Sequence, residues 1–127
     1  MKAINLSMRF TLELVAWLLA AIWVFKQFNG WTSYLAAIAC SLILMGLWVS
    51  FAVPGDPSRS GKAPVPIDGR LRLALEIIEF GLGYWAGYLL YGSIAGATIL
   101  ALIIIHHLLY FSRMQWIWKQ RKSMYQR

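Results

Sequence analysis

Four long apolar segments determine which kind of fold this chain can form. They span residues 7–28, 31–53, 71–91 and 93–111. Each is close to the roughly 20 residues that an α-helix needs to cross about 30 Å of hydrocarbon. Since 60% of the 127 residues are hydrophobic and only 13% are charged, the chain has more apolar surface than a soluble domain of this length can bury. The sequence therefore predicts an all-α integral membrane bundle of four transmembrane helices.

The turns between these segments predict two helical hairpins within a single membrane domain, 1–127. Asn29 with Gly30, and Gly92, leave room only for tight connections. The segment between the hairpins contains all four prolines, which predicts a mobile cytoplasmic linker. The predicted parts are hairpin one at 5–53, the linker at 54–67, hairpin two at 68–114 and a basic C-terminal tail at 115–127.

A short pattern occurs twice, as NLSMRFTLELVAW and as DGRLRLALEIIEF. In each copy a polar residue suited to capping a helix N-terminus is followed four residues later by an arginine, and after four more by a glutamate. These residues are Asn5, Arg9 and Glu13 in the first copy and Asp68, Arg72 and Glu76 in the second. Because each hairpin has an even number of spans, both copies enter the membrane in the same direction, as a parallel repeat.

The basic residues are distributed unevenly about this predicted bundle. Eleven of the twelve Lys and Arg residues lie on one side, and Lys26 lies alone on the other. Because Lys and Arg accumulate in short cytoplasmic loops, both termini are predicted to be cytoplasmic. The net charge of +7 borders membrane segments and no nucleic-acid motif accompanies it, so anionic lipid headgroups are the predicted partner and nucleic acid is not. The tail is predicted to extend helix four along the inner interface and to meet these headgroups there.

Five ionisable side chains are predicted to share one layer in the inner leaflet, and carboxylates in such segments are functional candidates. They are Glu13, Glu76, Glu79, His106 and His107. In one interpretation Arg9 with Glu13 and Arg72 with Glu76 form structural i,i+4 pairs, while Glu79 is neutral or hydrogen-bonded. In a second, the glutamates and a histidine carry protons or a cation from the cytoplasm.

The third interpretation is a metal or haem site built from the glutamates and histidines. Adjacent histidines point about 100° apart on a helix, so His106 and His107 do not bind one haem from opposite faces, and only an intersubunit site would avoid that objection. The sequence therefore predicts no metal and no other cofactor.

Small residues favour close helix packing in the second hairpin. Gly83 and Gly87 have GxxxG spacing, and Gly92 and Gly96 continue the small residues into helix four. Two uses stay open: packing within the bundle, or association with a second copy or another membrane protein. The chain contains no nucleophile motif, phosphate loop or HExxH sequence, so it is predicted not to be an enzyme.

Three stretches resemble the YrdB-like small bacterial membrane proteins: NLSMRFTLELVAW, LWVSFAVP at 47–54 and RLRLALEIIEFGLG at 70–83. The resemblance covers most of the first three helices and includes neither His106, His107 nor the basic tail. It implies a four-helix protein of the bacterial inner (plasma) membrane and adds no activity.

The leading functional hypothesis is a small accessory or scaffold-like membrane protein that acts through helix–helix association and forms a homo-oligomer or binds another membrane protein. The alternative is a small proton or cation transporter that uses Glu13, Glu76 and Glu79 together with the histidines of the same layer.

Overall fold

A computed structural model describes residues 2–59 and 62–125 of the chain, and within these residues it is mainly helical. Its five α-helices are α1 (Lys2–Gln27), α2 (Trp31–Ser50), α3 (Gly69–Tyr91), α4 (Ser93–Leu109) and α5 (Phe111–Lys119). A short 3₁₀ turn, Lys122–Met124, and a pair of two-residue strands, β1 (Phe51–Ala52) and β2 (Val65–Pro66), complete the regular structure. The predicted helical fold is confirmed.

Three of the helices found in the described ranges, α1 to α3, are long and apolar enough to cross a membrane. A fourth candidate span exists if α4 and α5 are counted as one broken helix, because the two are bent by 69° where they join. Several apolar helices of this kind are typical of a membrane protein.

Helices α1 and α3 form the centre of the bundle and run parallel to each other. Each buries one stripe at helical spacing, and the stripe of α3 runs from Gly69 through Glu76 and Gly83 to Gly87. The helices approach most closely where Gly83 faces Ala16, because a Cβ atom placed on Gly83 would lie 2.5 Å from the Cβ of Ala16. Helix α2 packs on α1, and α4 packs on α3.

Two further glycines are sites of close packing, and one predicted packing glycine is not. A Cβ on Gly87 would lie 2.3 Å from Cδ1 of Ile99, and a Cβ on Gly96 would lie 3.1 Å from the Cβ of Tyr88. Gly92 was the wrong choice as a packing residue, because a Cβ there would meet nothing within 4 Å. It instead joins α3 to α4 with a φ of 89°, a left-handed conformation that glycine adopts readily.

The segment between α2 and α3 is anchored at both ends, which differs from the mobile linker predicted from its prolines. Strands β1 and β2 pair in parallel, and the backbone N–H of Ile67 donates to the carbonyl of Ala52 at 3.0 Å. Val53 is 2% exposed. A turn follows, in which the N–H of Asp56 donates to the carbonyl of Val53 and Gly55 has a φ of 78°. Pro and Gly at its two central positions suit a type II turn.

Helix α5 folds back onto the start of α3, so the prediction that the tail continues helix four was wrong. The α4 helix ends at Leu109, and α5 departs at 69°. Ile117 is fully buried, and a Cβ on Gly69 would lie 1.7 Å from its carbonyl oxygen. The N–H of Gly69 also donates to the carbonyl of Gln120 at 3.1 Å. Only a residue without a side chain allows this contact between α3 and α5.

The two predicted capping residues do not cap their helices. Asn5 lies within α1, which begins at Lys2. Asp68 is the N-cap residue of α3, but its side chain makes no capping hydrogen bond and instead accepts from the backbone N–H of Lys122. This contact ties the chain after α5 to the start of α3.

Candidate functional site

The centre of the candidate site is Glu76, whose side-chain carboxylate accepts hydrogen bonds from three arginines. Nη2 of Arg9 lies 2.7 Å from Oε1, and Nε of Arg72 lies 3.2 Å from the same oxygen. Arg113 donates through both terminal nitrogens, at 2.8 Å to Oε1 and 3.1 Å to Oε2. All four residues are at most 4% exposed. Glu76 therefore joins α1, α3 and α5 from one position.

A second carboxylate, Glu13, extends the site to the end of α2. Its Oε1 accepts from Nε of Arg9 at 2.8 Å and from the indole N–H of Trp48 at 2.7 Å. Trp48 packs edge-on against Trp17, with ring centroids 6.1 Å apart. Glu13 thus holds the last turns of α2 against the first turns of α1.

The third carboxylate, Asp56, brings in the linker. Arg113 donates to its two oxygens at 2.9 and 2.6 Å, and the backbone N–H and hydroxyl of Ser58 donate to Oδ1 at 2.9 and 2.8 Å. Arg9 also donates to the Ser58 hydroxyl. Burial raises the pKa of Asp56, but the hydrogen bonds and charge of Arg113, with those of Ser58, outweigh it and hold that pKa below its usual range.

Together these groups form a closed polar network of three arginines and three carboxylates, whose formal charges sum to zero. We call it the charged network, and its six ionisable members are Arg9, Glu13, Asp56, Arg72, Glu76 and Arg113. Remaining N–H groups of Arg72 donate to backbone carbonyls at the end of α2, to Trp48 at 2.9 Å and to Phe51 at 2.5 Å. Because buried charges are costly unless paired and hydrogen-bonded, this arrangement is what allows six of them to lie together.

The repeated Arg/Glu pattern does not produce two equivalent sites. Both i,i+4 pairs form, with Nε–Oε1 distances of 2.8 Å for Arg9–Glu13 and 3.2 Å for Arg72–Glu76. In the repeated pattern Arg9 corresponds to Arg72. In the structure, however, Arg9 lies level with Glu76, so α1 is displaced along α3 by one helical turn from the position in which equivalent residues would be level. Glu76 therefore receives three arginines, whereas Glu13 receives one arginine and an indole.

Glu79 and His106 are buried but lie outside the charged network. Oε2 of Glu79 accepts from the indole N–H of Trp17 at 3.3 Å. Among the described residues, Oε1 of Glu79 and Nδ1 of His106 have no hydrogen-bond partner. The His106 ring instead packs near Phe80 and Tyr110, with centroids 6.0 and 5.0 Å away.

His107 differs from its neighbour. It is half-buried, and its Nδ1 lies 2.8 Å from the carbonyl oxygen of Ile103. The five predicted residues are therefore divided. Glu13 and Glu76 lie in the charged network, Glu79 and His106 are buried outside it, and His107 is half-buried on α4. Within the ranges that the structure describes, no group of three or more His, Cys, Asp or Glu side chains is placed to hold a metal ion.

Sequence reasoning missed several members of the charged network. These are Trp48, Asp56, Ser58 and Arg113. A signal existed for Asp56 and Ser58, because Asp-Pro-Ser is typical of a turn in which the aspartate accepts from the N–H two residues on. No local pattern distinguishes Arg113 from the other basic residues that follow the fourth apolar segment.

A family model described as "Protein of unknown function (DUF2568)" matches residues 7–105. The chain belongs to this family. It is also 34% identical over 116 residues to the Uncharacterized protein YrdB of Bacillus subtilis (strain 168), which covers 91% of this chain and 94% of that protein. The predicted YrdB-like resemblance is therefore confirmed. No solved structure matches the chain. The family match includes most of α1, all of α2 and α3 and most of α4, and it ends before Arg113.

Proposed function

We propose that this protein is an accessory or scaffold-like protein of the bacterial inner membrane, with four spans and both termini in the cytoplasm. The apolar helices support the membrane location, and the basic residues around the linker and α5 support the orientation. It acts by binding a second copy or another membrane protein through its helices. The proposal includes no catalysed reaction.

The observation that carries this proposal is the closure of the charged network. Its carboxylates are occupied by arginine, indole and hydroxyl donors from five segments of the chain. Charged groups engaged in this way hold segments together and have little capacity left for a ligand. A shape that is maintained so firmly suits a protein whose task is to present a surface.

The surface it presents includes the outer face of α2. Only Ser33 and Leu44 are buried on this helix, whereas Leu42 and Ile43 are more than 60% exposed. Cys40 packs inward beside Leu44. In a membrane this apolar face meets lipid or another helix, and shape complementarity decides between them.

Cysteine cross-linking in native membranes tests this association. In a Cys40→Ser background, Ile43→Cys places a thiol on the outer face and Leu44→Cys places one on the neighbouring inner face. We expect oxidation to give a cross-linked species with Ile43→Cys and none with Leu44→Cys. Monomer only with Ile43→Cys, and with cysteines placed in the same way on α4, would refute association through these helices.

The alternative function is proton or cation transfer, and the free polar atoms of Glu79 and His106 favour it. Glu76 is surrounded by three arginines, which repel a cation, so the path would depend on Glu79 and His106. Intramembrane carboxylates and histidines of this kind occur in proton relays.

Flux measurements in proteoliposomes separate the two functions. Proton or cation flux in the wild type that is lost in Glu79→Gln, with the fold retained, would identify a transporter. The double variant Glu13→Gln, Glu76→Gln is the matched comparison, because it removes two carboxylates of the charged network and leaves Glu79. Loss of folding or assembly in the double variant, with no flux in any protein, supports the accessory function.

A further inference from the structure

Two adjoining cavities lie at the bend between α4 and α5, beside α3. The first has a volume of about 420 Å³ and is lined almost entirely by apolar side chains of α3, α4 and α5. The second, of about 320 Å³, continues toward the end of α5. Phe111 and Met114 line both cavities. We call the continuous depression the α4–α5 groove.

The two ends of the α4–α5 groove differ in chemistry. Ile77, Ile104 and Leu108 line the first cavity, where His107 is the polar residue. Gln115 and Lys119 line the second cavity together with Trp118. The groove is therefore apolar at one end and cationic at the other.

A second cation lies beside the polar end. The guanidinium carbon of Arg70 lies 4.4 Å from the centre of the Trp118 ring, and that ring lines the same cavity as Lys119. Within residues 2–59 and 62–125, neither Lys119 nor Arg70 has a carboxylate within 4.0 Å. Asp68, the N-cap residue of α3 and the acidic residue nearest to Arg70 in the sequence, accepts from the backbone N–H of Lys122. The two charges are thus available to an anion from outside the chain.

The orientation of the groove matches that of a lipid at a membrane surface. Its polar end lies between the first turns of α3 and the end of α5, where Arg70, Arg72 and Lys119 are found. Its apolar end extends along α3, from Leu73 to Ile77, toward the middle of the bundle. Aromatic residues such as Trp118 are typical of the interface between these two environments.

We propose that the α4–α5 groove binds one anionic phospholipid, with an acyl chain in the apolar cavity and the phosphate between Lys119 and Arg70. The proposal rests on the membrane location proposed above and does not depend on the accessory function. Charge complementarity favours an anionic headgroup over a zwitterionic one, since each basic residue near an anionic lipid contributes about 1 kcal/mol, or about fivefold in affinity.

Native mass spectrometry of the purified full-length protein tests headgroup selection, with phosphatidylglycerol and phosphatidylcholine of identical acyl chains at equal concentrations. We expect one phosphatidylglycerol to be retained preferentially by the wild type. Lys119→Gln and Arg70→Gln should each reduce that preference about fivefold. Lys122→Gln, which removes an exposed charge outside the groove, should leave it unchanged. An equal effect of Lys122→Gln, or equal retention of both lipids by the wild type, would overturn the proposal.

Filling the apolar cavity provides the second test. Ile104→Trp and Leu108→Trp add bulk from positions that are 51% and 68% exposed, so the bundle does not need to repack around them. Both should abolish retention of either lipid, while Ile43→Trp on the equally apolar face of α2 should not. Thermal unfolding of each variant confirms that the fold is intact. Undiminished lipid retention in Ile104→Trp and Leu108→Trp would exclude the groove, whatever the cross-linking of α2 shows.

Discussion

We expect Glu76→Gln to destabilise the protein more than any other single substitution in the charged network. It removes the charge of the side chain while leaving the shape of the side chain almost unchanged. The carboxylate balances part of the positive charge of three buried guanidinium groups, whose nitrogens lie 2.7 to 3.2 Å from its oxygens. With glutamine in its place, the three arginines together retain two acidic partners among the described residues. Arg9 keeps Glu13 and Arg113 keeps Asp56. Removing one member of a buried ion pair costs about 3–5 kcal/mol, which is a large share of the 5–15 kcal/mol that stabilises a typical domain.

The free energy of unfolding, measured by steric trapping in bicelles, tests this magnitude. Glu79→Gln is the matched control, one turn further along the same helix. Among the residues that the structure describes, its carboxylate has a single donor, the Trp17 indole at 3.3 Å, so the same substitution should cost less than about 1 kcal/mol. If Glu76→Gln destabilises the protein no more than Glu79→Gln does, the charged network is not what holds these segments together.

A double-mutant cycle isolates the interaction between α1 and α3. Arg9→Gln should destabilise the protein, and combining it with Glu76→Gln should cost less than the sum of the two, since one substitution removes the charge that the other leaves unpaired. We expect a coupling free energy of about 1–3 kcal/mol. Additive effects would mean that Arg9 and Glu76 contribute independently.

Three further predictions concern close packing and pH. Gly69→Ala should detach α5 from α3 and lower the free energy of unfolding by about 1–3 kcal/mol, because its Cβ would lie 1.7 Å from the carbonyl oxygen of Ile117. Faster thiol labelling of an Ile117→Cys reporter measures this detachment. Gly83→Ala should weaken the contact of α1 with α3. Gly81→Ala, whose Cβ would meet nothing within 4 Å, should instead stabilise the helix by up to about 1 kcal/mol. The unfolding free energies of the two variants should therefore change in opposite directions. Because burial raises the pKa of Asp56 but the stronger effects of Arg113 and Ser58 lower it overall, its carboxylate stabilises the fold above its unfolded pKa and loses that contribution as pH falls through the lowered folded value. The stability difference between wild type and Asp56→Asn should accordingly shrink on acidification, and a difference that is constant with pH would show that the charge of Asp56 contributes nothing.

The parts of the fold that were predictable depend on local signals. Runs of about 20 apolar residues, and turns at Gly30 and Gly92, locate α1 to α4 because hydrophobicity and glycine conformation act within a few residues. The i,i+4 spacing of the arginines and glutamates was equally local. These signals do not specify how far α1 slides along α3, and the displacement by one turn is what brings Arg9 to Glu76.

The rest of the site depends on contacts between residues that are distant in the chain. Asp56 and Arg113 are separated by 57 positions, and no sequence pattern around either residue indicates that it contacts the other. The sequence also did not predict the bend before α5, because Phe111–Lys119 has a mixed composition of apolar and polar residues that suits either a surface tail or an amphipathic helix. Gly69 could be recognised as a packing residue only once Ile117 was known to lie against it.

The place of Arg113 in the chain has a consequence for the order in which the protein becomes complete. Every other member of the charged network precedes it, so a growing chain contains Glu76 and Asp56 well before the arginine that joins them. Until α5 is synthesised and turns back, Asp56 lacks its guanidinium partner, and the linker is held by the β1–β2 pairing and the Arg9–Ser58 contact. We expect the charged network to be completed only when α5 folds back, and a chain without α5 to differ from one that contains it at the surface around Asp56.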